Sequence, residues 1–234
     1  AGGFSAVGPM LESARSAVGP IRVFPVDGIG SRLGALVSDG ALGALVGREE
    51  ARRLSRICQF ALAACRLALR DAGLLPGGNG AALGLVVGSE FGDLRSTEAF
   101  AAGYLKDGPV GLSPLIFPST VMNTMAASAS IAVGARGSAV TVNQATVGGE
   151  LAVARAASMV ATGRLSSALA GGVDEICPTL YRMLATLGAI SPMGGGAEGC
   201  WPFDRRHNGP VKGEGATFVV LEPLEAALRR GAAI

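Results

Sequence analysis

The segment TVNQATVGGELAVARAASMVATG, from Thr141 onward, limits the possible folds more than any other stretch of this chain. A β-branched run stops at a polar pair, a turn of small residues follows, and an alanine-rich helical pattern begins. Strand, tight turn and helix in that order place a helix N-terminus, with its free N–H groups and positive dipole end, at the carboxyl end of a strand. Many α/β enzymes mount a nucleophile there. In this chain the turn carries Gln144, Ala145 and Thr146, with neither cysteine nor serine.

The same alternation recurs along the chain. Residues 49–73 read as an amphipathic helix, with Leu54, Ile57, Phe60, Ala61, Ala64, Cys65 and Ala68 at helical spacing and Gly73 placed for a C-terminal cap. The loop LLPGGNG leads into LGLVVGS from Leu83, a continuous apolar run of the kind that forms a strand covered on both faces. A weaker helix is predicted over residues 90–104. Ser-Pro and Phe-Pro turns then precede an Ala/Met-rich helix in LSPLIFPSTVMNTMAASASIAVG. Strand 139–142, a mostly buried helix 148–163, strand and turn 167–172, helix 177–189 and a final strand-to-helix unit in ATFVVLEPLEAALRRG complete the pattern. Strands alternating with helices predict an α/β fold with a largely parallel sheet.

Composition narrows the function classes. Hydrophobic residues make up 49% and charged residues 16% of the 234, so the chain is expected to be well buried or to have an obligate partner. A net charge of +2 without a basic run leaves no electrostatic footprint for nucleic acid. Gly, Arg, Ser or Asp interrupts every apolar stretch well short of the ~20 residues that cross a bilayer, and no signal peptide is visible. A single histidine, His207, excludes a multi-histidine metal site within the chain. Cys58, Cys65, Cys177 and Cys200 lack CxxC spacing and read as buried thiols of a reduced, cytoplasmic protein.

Five ordered blocks, VVGSEFG, LSPLIFPSTVMN, GSAVTVNQATVGGELAVARAASMVATG, SALAGGVDE and PFDRRHNGPVKGEGATFVVLE, resemble the N-terminal half of β-ketoacyl synthases. The resemblance implies a thiolase-like layered α/β/α fold. Residues 1–234 would form one N-terminal-half-like domain, with the C-terminal half outside this chain and the family's first strand missing before AGGFSAVG. In that family a cysteine opens the buried helix and takes an acyl chain from a carrier protein; in the gapless register its position is Thr146. The two histidines that act with it belong to the C-terminal half, and His207 does not stand in for them, because it falls in this chain's FDRRHNG loop, where the family usually reads Arg-Asp-Gly.

A threonine hydroxyl has no thiolate form and needs an adjacent general base to act as a nucleophile. The resemblance therefore implies a non-catalytic subunit of the chain-length-factor kind. Such subunits replace the cysteine, typically by glutamine, and Gln144 lies two residues before the position. Thr146 itself reads as a helix N-cap.

Phe91 is expected to face and shorten the acyl tunnel. Leu115, Ile116 and Phe117 match the segment that reaches the partner's pocket across a dimer. Met122 and Asn123 fall at the expected seam, with Val140, in an interface of about 2,000 Å² or more; Asn123 and Gln144, if buried, need hydrogen-bond partners.

The expected partners are a catalytic ketosynthase, in a heterodimer, and an acyl carrier protein met through it. No metal or other cofactor is called for. The alternatives are a divergent synthase whose histidines lie in a missing or separate half, and a homodimeric acyl-binding scaffold. The glycine-rich GPVKGEGA and MGGGAEG stretches read as supporting turns, Lys212 and Arg205 as surface charges, and Arg155 as a charge that must be paired or reach solvent.

Overall fold

A computed structural model of the chain describes residues 4–74 and 83–234. Its helices are α1 (Phe4–Glu12), α2 (Asp39–Val46), α3 (Arg48–Ala51), α4 (Arg56–Asp71), α5 (Leu94–Asp107), α6 (Thr124–Val133), α7 (Gly148–Ala161), α8 (Pro178–Thr186) and α9 (Leu224–Arg229). The strands are β1 (Gly19–Pro20), β2 (Leu33–Gly34), β3 (Leu83–Ser89), β4 (Ala139–Asn143), β5 (Ser167–Asp174) and β6 (Gly215–Leu221). Of the LLPGGNG loop only Leu74 lies within the described residues.

The main sheet has the order β4-β3-β5-β6. β3 runs parallel to both neighbours, and all seven of its residues are buried, as its unbroken apolar sequence requires. The predicted parallel sheet is thus present, with β6 added antiparallel at one edge. Strand side chains alternate between faces. Leu83, Leu85, Val87, Leu169 and Phe218 pack against Ile57, Phe60 and Leu62 of α4 and Met125, Ala129 and Val133 of α6. Val86, Ala168 and Ala170 pack on the other side against Ala152, Ala156 and Met159 of α7. The result is the layered α/β/α arrangement.

The predicted helix 49–73 is divided in two. The first piece ends at Ala51, a turn follows, and the helix restarts after Ser55, which is extended (φ −62°, ψ 161°). Gly73 does cap α4: it sits at φ +66°, and Leu74 N donates to Leu69 O at 2.8 Å. The helix predicted from residue 90 starts at Leu94, because the Asp93 carboxylate accepts from Ser96 N at 2.9 Å and fixes the N-cap there. The helix predicted over 177–189 is the shorter α8, with Cys177 at its N-cap.

α7 was expected to be mostly buried. Only one stripe, Gly148, Ala152, Ala156 and Met159, is buried, because a single layer covers the helix in this chain. Leu151 is 43% exposed and Arg155 reaches the surface.

Candidate functional site at the ends of β3, β4 and β5

The carboxyl ends of the three parallel strands converge, and glycines let the N-terminus of α7 settle on them. A Cβ on Gly88 would stand 2.0 Å from Gly148 O, and one on Gly149 would meet Gly172 at 3.3 Å. Only backbone can approach so closely. With α7 seated in this way, the turn 144–147 is raised to the surface, and Gln144, Ala145, Thr146 and Val147 are all exposed.

Thr146 occupies the left-handed region at φ +64°. For a β-branched residue this is a genuine outlier, worth about 1–3 kcal/mol, and it persists where the surroundings over-determine it. The N-cap reading of Thr146 is corrected here. The cap position is Val147, α7 has no side-chain cap, and Thr146 Oγ1 donates to the carbonyl of Ala145 at 2.8 Å. A left-handed backbone turns the hydroxyl away from the helix amides that an N-cap would serve. Nor does Gln144 need a buried partner, since it is exposed.

Beside this elbow lies a polar network. Asn143 Nδ2 donates to Ser89 O at 3.1 Å and Glu90 O at 2.8 Å, which ties β4 to the end of β3. The Asp174 carboxylate at the end of β5 accepts from Ser89 Oγ at 2.8 Å, Glu90 N at 3.0 Å and Phe91 N at 3.4 Å. Burial raises the Asp174 carboxyl above its ordinary range, and the Glu90 charge adds to that push against the lowering effect of these donors. Phe91 is half-buried over this network. Gly92 follows it at φ +68°, where a Cβ would meet Met122 Sδ at 2.6 Å. Phe91 and Met122 are thus brought to one place.

Leu115 is 90% and Phe117 56% exposed, with the Phe117 ring 5.9 Å from that of Phe100. Ile116 is half-buried ahead of a 3₁₀ turn (Phe117–Thr120), and Asn123 is exposed at the start of α6 without a side-chain cap bond.

Several residues were not legible as site components. Lys212, expected at the surface, is half-buried, with its ammonium 3.6 Å from Glu90 Oε2 and 5.7 Å from the centroid of the Phe91 ring. Glu214 of the same GPVKGEGA segment has a fully buried side chain, bonded to Arg56 Nη2 at 2.5 Å, to Val37 N at 3.1 Å and to Ile176 N at 3.3 Å. Asp93 and Glu175 are buried close by. Asp93 Oδ2 and Glu175 Oε2 lack a hydrogen-bond donor among the described residues, although Arg95 Nε lies 3.5 Å from the latter. Burial, then the charges of Asp93 and Glu214, push Glu175 up to about 7 against the lowering pull of Arg95.

Arg205 and His207 are exposed, as is Cys200; Cys58, Cys65 and Cys177 are buried. Cys200 therefore departs from the buried-thiol expectation. Among the described residues no helix is long and apolar enough to cross a membrane. No group of three or more His, Cys, Asp or Glu among them could hold a metal ion.

Comparison with known proteins accounts for the arrangement. Residues 39–227 match the family model "Beta-ketoacyl synthase, N-terminal domain". The chain is 32% identical over 231 residues to a 3-oxoacyl-[acyl-carrier-protein] synthase 2 of Synechocystis sp., covering 96% of this chain and 55% of that protein. It is 31% identical over 234 residues to a granaticin polyketide putative beta-ketoacyl synthase 1 of Streptomyces violaceoruber, covering 96% and 56%. Among solved structures, the ishigamide ketosynthase/chain length factor superposes with a TM-score of 0.87 at 27% identity, over 99% of this chain and 57% of that one. The chain thus spans somewhat more than half the length of these relatives.

Proposed function

The chain belongs to the β-ketoacyl synthase family, whose N-terminal domain it carries, and from that premise we propose that it acts as a non-catalytic subunit of the chain-length-factor kind. It pairs with a catalytic ketosynthase in polyketide, polyene or fatty-acid elongation and shapes the acyl tunnel of the pair. The carrying observation is Thr146. The chain has the elbow, the left-handed backbone and the helix N-terminus, and the side chain on them is a hydroxyl, which needs an adjacent general base to act as a nucleophile. A thiol at this place would be drawn toward the thiolate by the helix end; a hydroxyl gains no comparable reactivity.

Pairing through the exposed apolar edge follows from the same layout. β4 is the outer parallel strand of the sheet, and Leu115, Phe117 and Val121 stand exposed between α5 and α6. Large apolar side chains exposed in this way fit a protein interface. The occupant is the catalytic ketosynthase, which carries the cysteine and meets the acyl carrier protein. In this reading Phe91 faces the tunnel, and Met122 and Asn123 line the seam.

One observation favours a second reading, a divergent synthase whose histidines come from the remainder of the fold. The strained φ at position 146 is still in place, and strain of that kind is most often kept where chemistry uses it.

Intact-mass spectrometry distinguishes the two. The protein is co-purified with its ketosynthase partner and incubated with acyl-loaded carrier protein. An acyl adduct on the partner alone is expected. An adduct on this chain, mapped to Thr146 or to a cysteine, overturns the non-catalytic reading in favour of an acyl-transfer enzyme.

A further inference from the structure

Phe91 is held by its backbone at one end only. Its N–H reaches Asp174 at 3.4 Å, and the residue after it is a left-handed glycine. Neither contact sets the torsions of the half-buried ring itself. The contact that addresses the ring comes from 121 residues away in the chain, counted from Phe91 to Lys212.

The Lys212 ammonium stands 5.7 Å from the ring centroid, within the distance at which a cation is drawn to the face of an aromatic. The Lys212 side chain is only 29% exposed, and its charge is answered by Glu90 Oε2 at 3.6 Å, whose own side chain is 22% exposed. The lysine is not a loose surface arm. Its carbonyl accepts from Ala35 N at 3.0 Å, the next residue bridges to Ala35, and Glu214 N donates back to Ala35 O at 2.9 Å. A rigid backbone delivers the cation to one place, and Glu90, adjacent to Phe91, keeps it there.

We propose that Lys212 is a positioning residue that pins the Phe91 ring, with Glu90 as its counter-charge, and so fixes the depth of the acyl cavity at the end of β3. The acyl-cavity part rests on the tunnel reading of Phe91 given above; the pinning itself rests on the geometry alone. A pinned ring gives a cavity of one depth, whereas a free ring would let chains of several lengths enter. The charge on Lys212 serves the ring's position and takes no part in acyl chemistry.

The test places 4-fluorophenylalanine at position 91 of the full chain and follows its ¹⁹F resonance in the wild type and in Lys212→Met, Lys212→Arg and Glu90→Gln. The wild type is expected to give one narrow line. Lys212→Met should split or broaden it, Glu90→Gln should do so partially, and Lys212→Arg, which keeps the cation, should restore the single line. An unchanged line in Lys212→Met, even with a lowered unfolding midpoint, overturns the proposal, because a merely structural lysine would behave that way. Several lines in the wild type overturn it as well.

A parallel titration with octanoyl- and dodecanoyl-pantetheine separates this inference from the reading beneath it. If the ring limits the cavity, Lys212→Met and Phe91→Ala should each bind the longer probe about tenfold more tightly than the wild type, the order expected for burying a few extra methylenes. Release of the ring with no change in either probe supports the pin and overturns the tunnel role of Phe91.

Discussion

At position 146 a β-branched residue is held where glycine would be comfortable, and the contacts around it explain why. The backbone of α7 is locked to β3 and β5 by glycine contacts, so the turn cannot relax by shifting the helix. The elbow is therefore held in one geometry, with the Thr146 side chain exposed on it. Thr146→Cys is expected to alkylate with iodoacetamide about tenfold faster than Cys200, since a helix N-terminus lowers a thiol's pKa. Cys200 is the one exposed native thiol and serves as an internal reference, while Cys58, Cys65 and Cys177 are buried. Equal rates would mean that the helix end does not act on this position. Glu175 carries a second residue-scale consequence. Its carboxyl is pushed up to about 7 from 4.5, so the folded state favours the protonated form. The stabilisation is fully present below about pH 4.5 and is lost as pH rises through 7, each unit of that window being worth up to about 1.4 kcal/mol. Urea unfolding at stepped pH should show the wild type weakening across this interval, and Glu175→Gln should flatten the slope.

The strand–elbow–helix element depends on backbone contact, and this makes Gly88 more consequential than its size implies. A methyl group there would stand 2.0 Å from the Gly148 carbonyl, and neither β3 nor α7 can retreat without disturbing the other layer. Gly88→Ala should cost about 3 kcal/mol or more in unfolding free energy, at the upper end for overpacking, read from the urea midpoint. Gly163→Ala, in open space at a positive φ, should cost only the backbone strain and serves as the control. This element could be read from the sequence because its signals are local: a β-branched run, small residues, then helical periodicity. The start of α5 differs from the helix predicted from residue 90, although its signal is also local: an N-cap Asp, Asp93, whose carboxylate accepts from the main-chain N–H three residues on. Two other features were out of reach. The left-handed backbone of Thr146 is imposed by packing on β3, so its side chain looks like a cap in sequence and is not one in space. Lys212 and Glu90 meet only because β5 lies between β3 and β6 and the segment before β6 docks on Ala35. No period in the sequence encodes such a pairing.

At the scale of the whole molecule, the layered sandwich is unequally covered. The α4/α6 side holds the larger core, while α7 alone packs on the opposite face of the sheet. Val219 of β6 is 42% exposed and Leu151 of α7 is 43% exposed, and a groove runs between these elements past Val153, Gly172 and Thr217. On α5, the turns after it and α6, Leu105 (83%), Val110 (93%), Leu115 (90%) and Ile131 (82%) face solvent. Large apolar side chains are thus exposed at both places. On the proposed reading the catalytic ketosynthase covers the residues around Leu115 and Phe117, and the groove is expected to be covered by the part of the fold that the relatives carry beyond the matched length. Residues 1–234 expressed alone should therefore bind 8-anilinonaphthalene-1-sulfonate and elute on size exclusion as larger, concentration-dependent species, the behaviour expected where large apolar side chains stand exposed. Supplying the remaining half of a relative in trans should quench the dye signal from the groove while leaving self-association through the β4 edge. Leu115→Asp with Phe117→Ser should do the reverse, lowering self-association and sparing the dye. A monodisperse monomer without dye binding would show that this half of the fold covers its own surfaces, and the pairing proposed above would lose its physical motive.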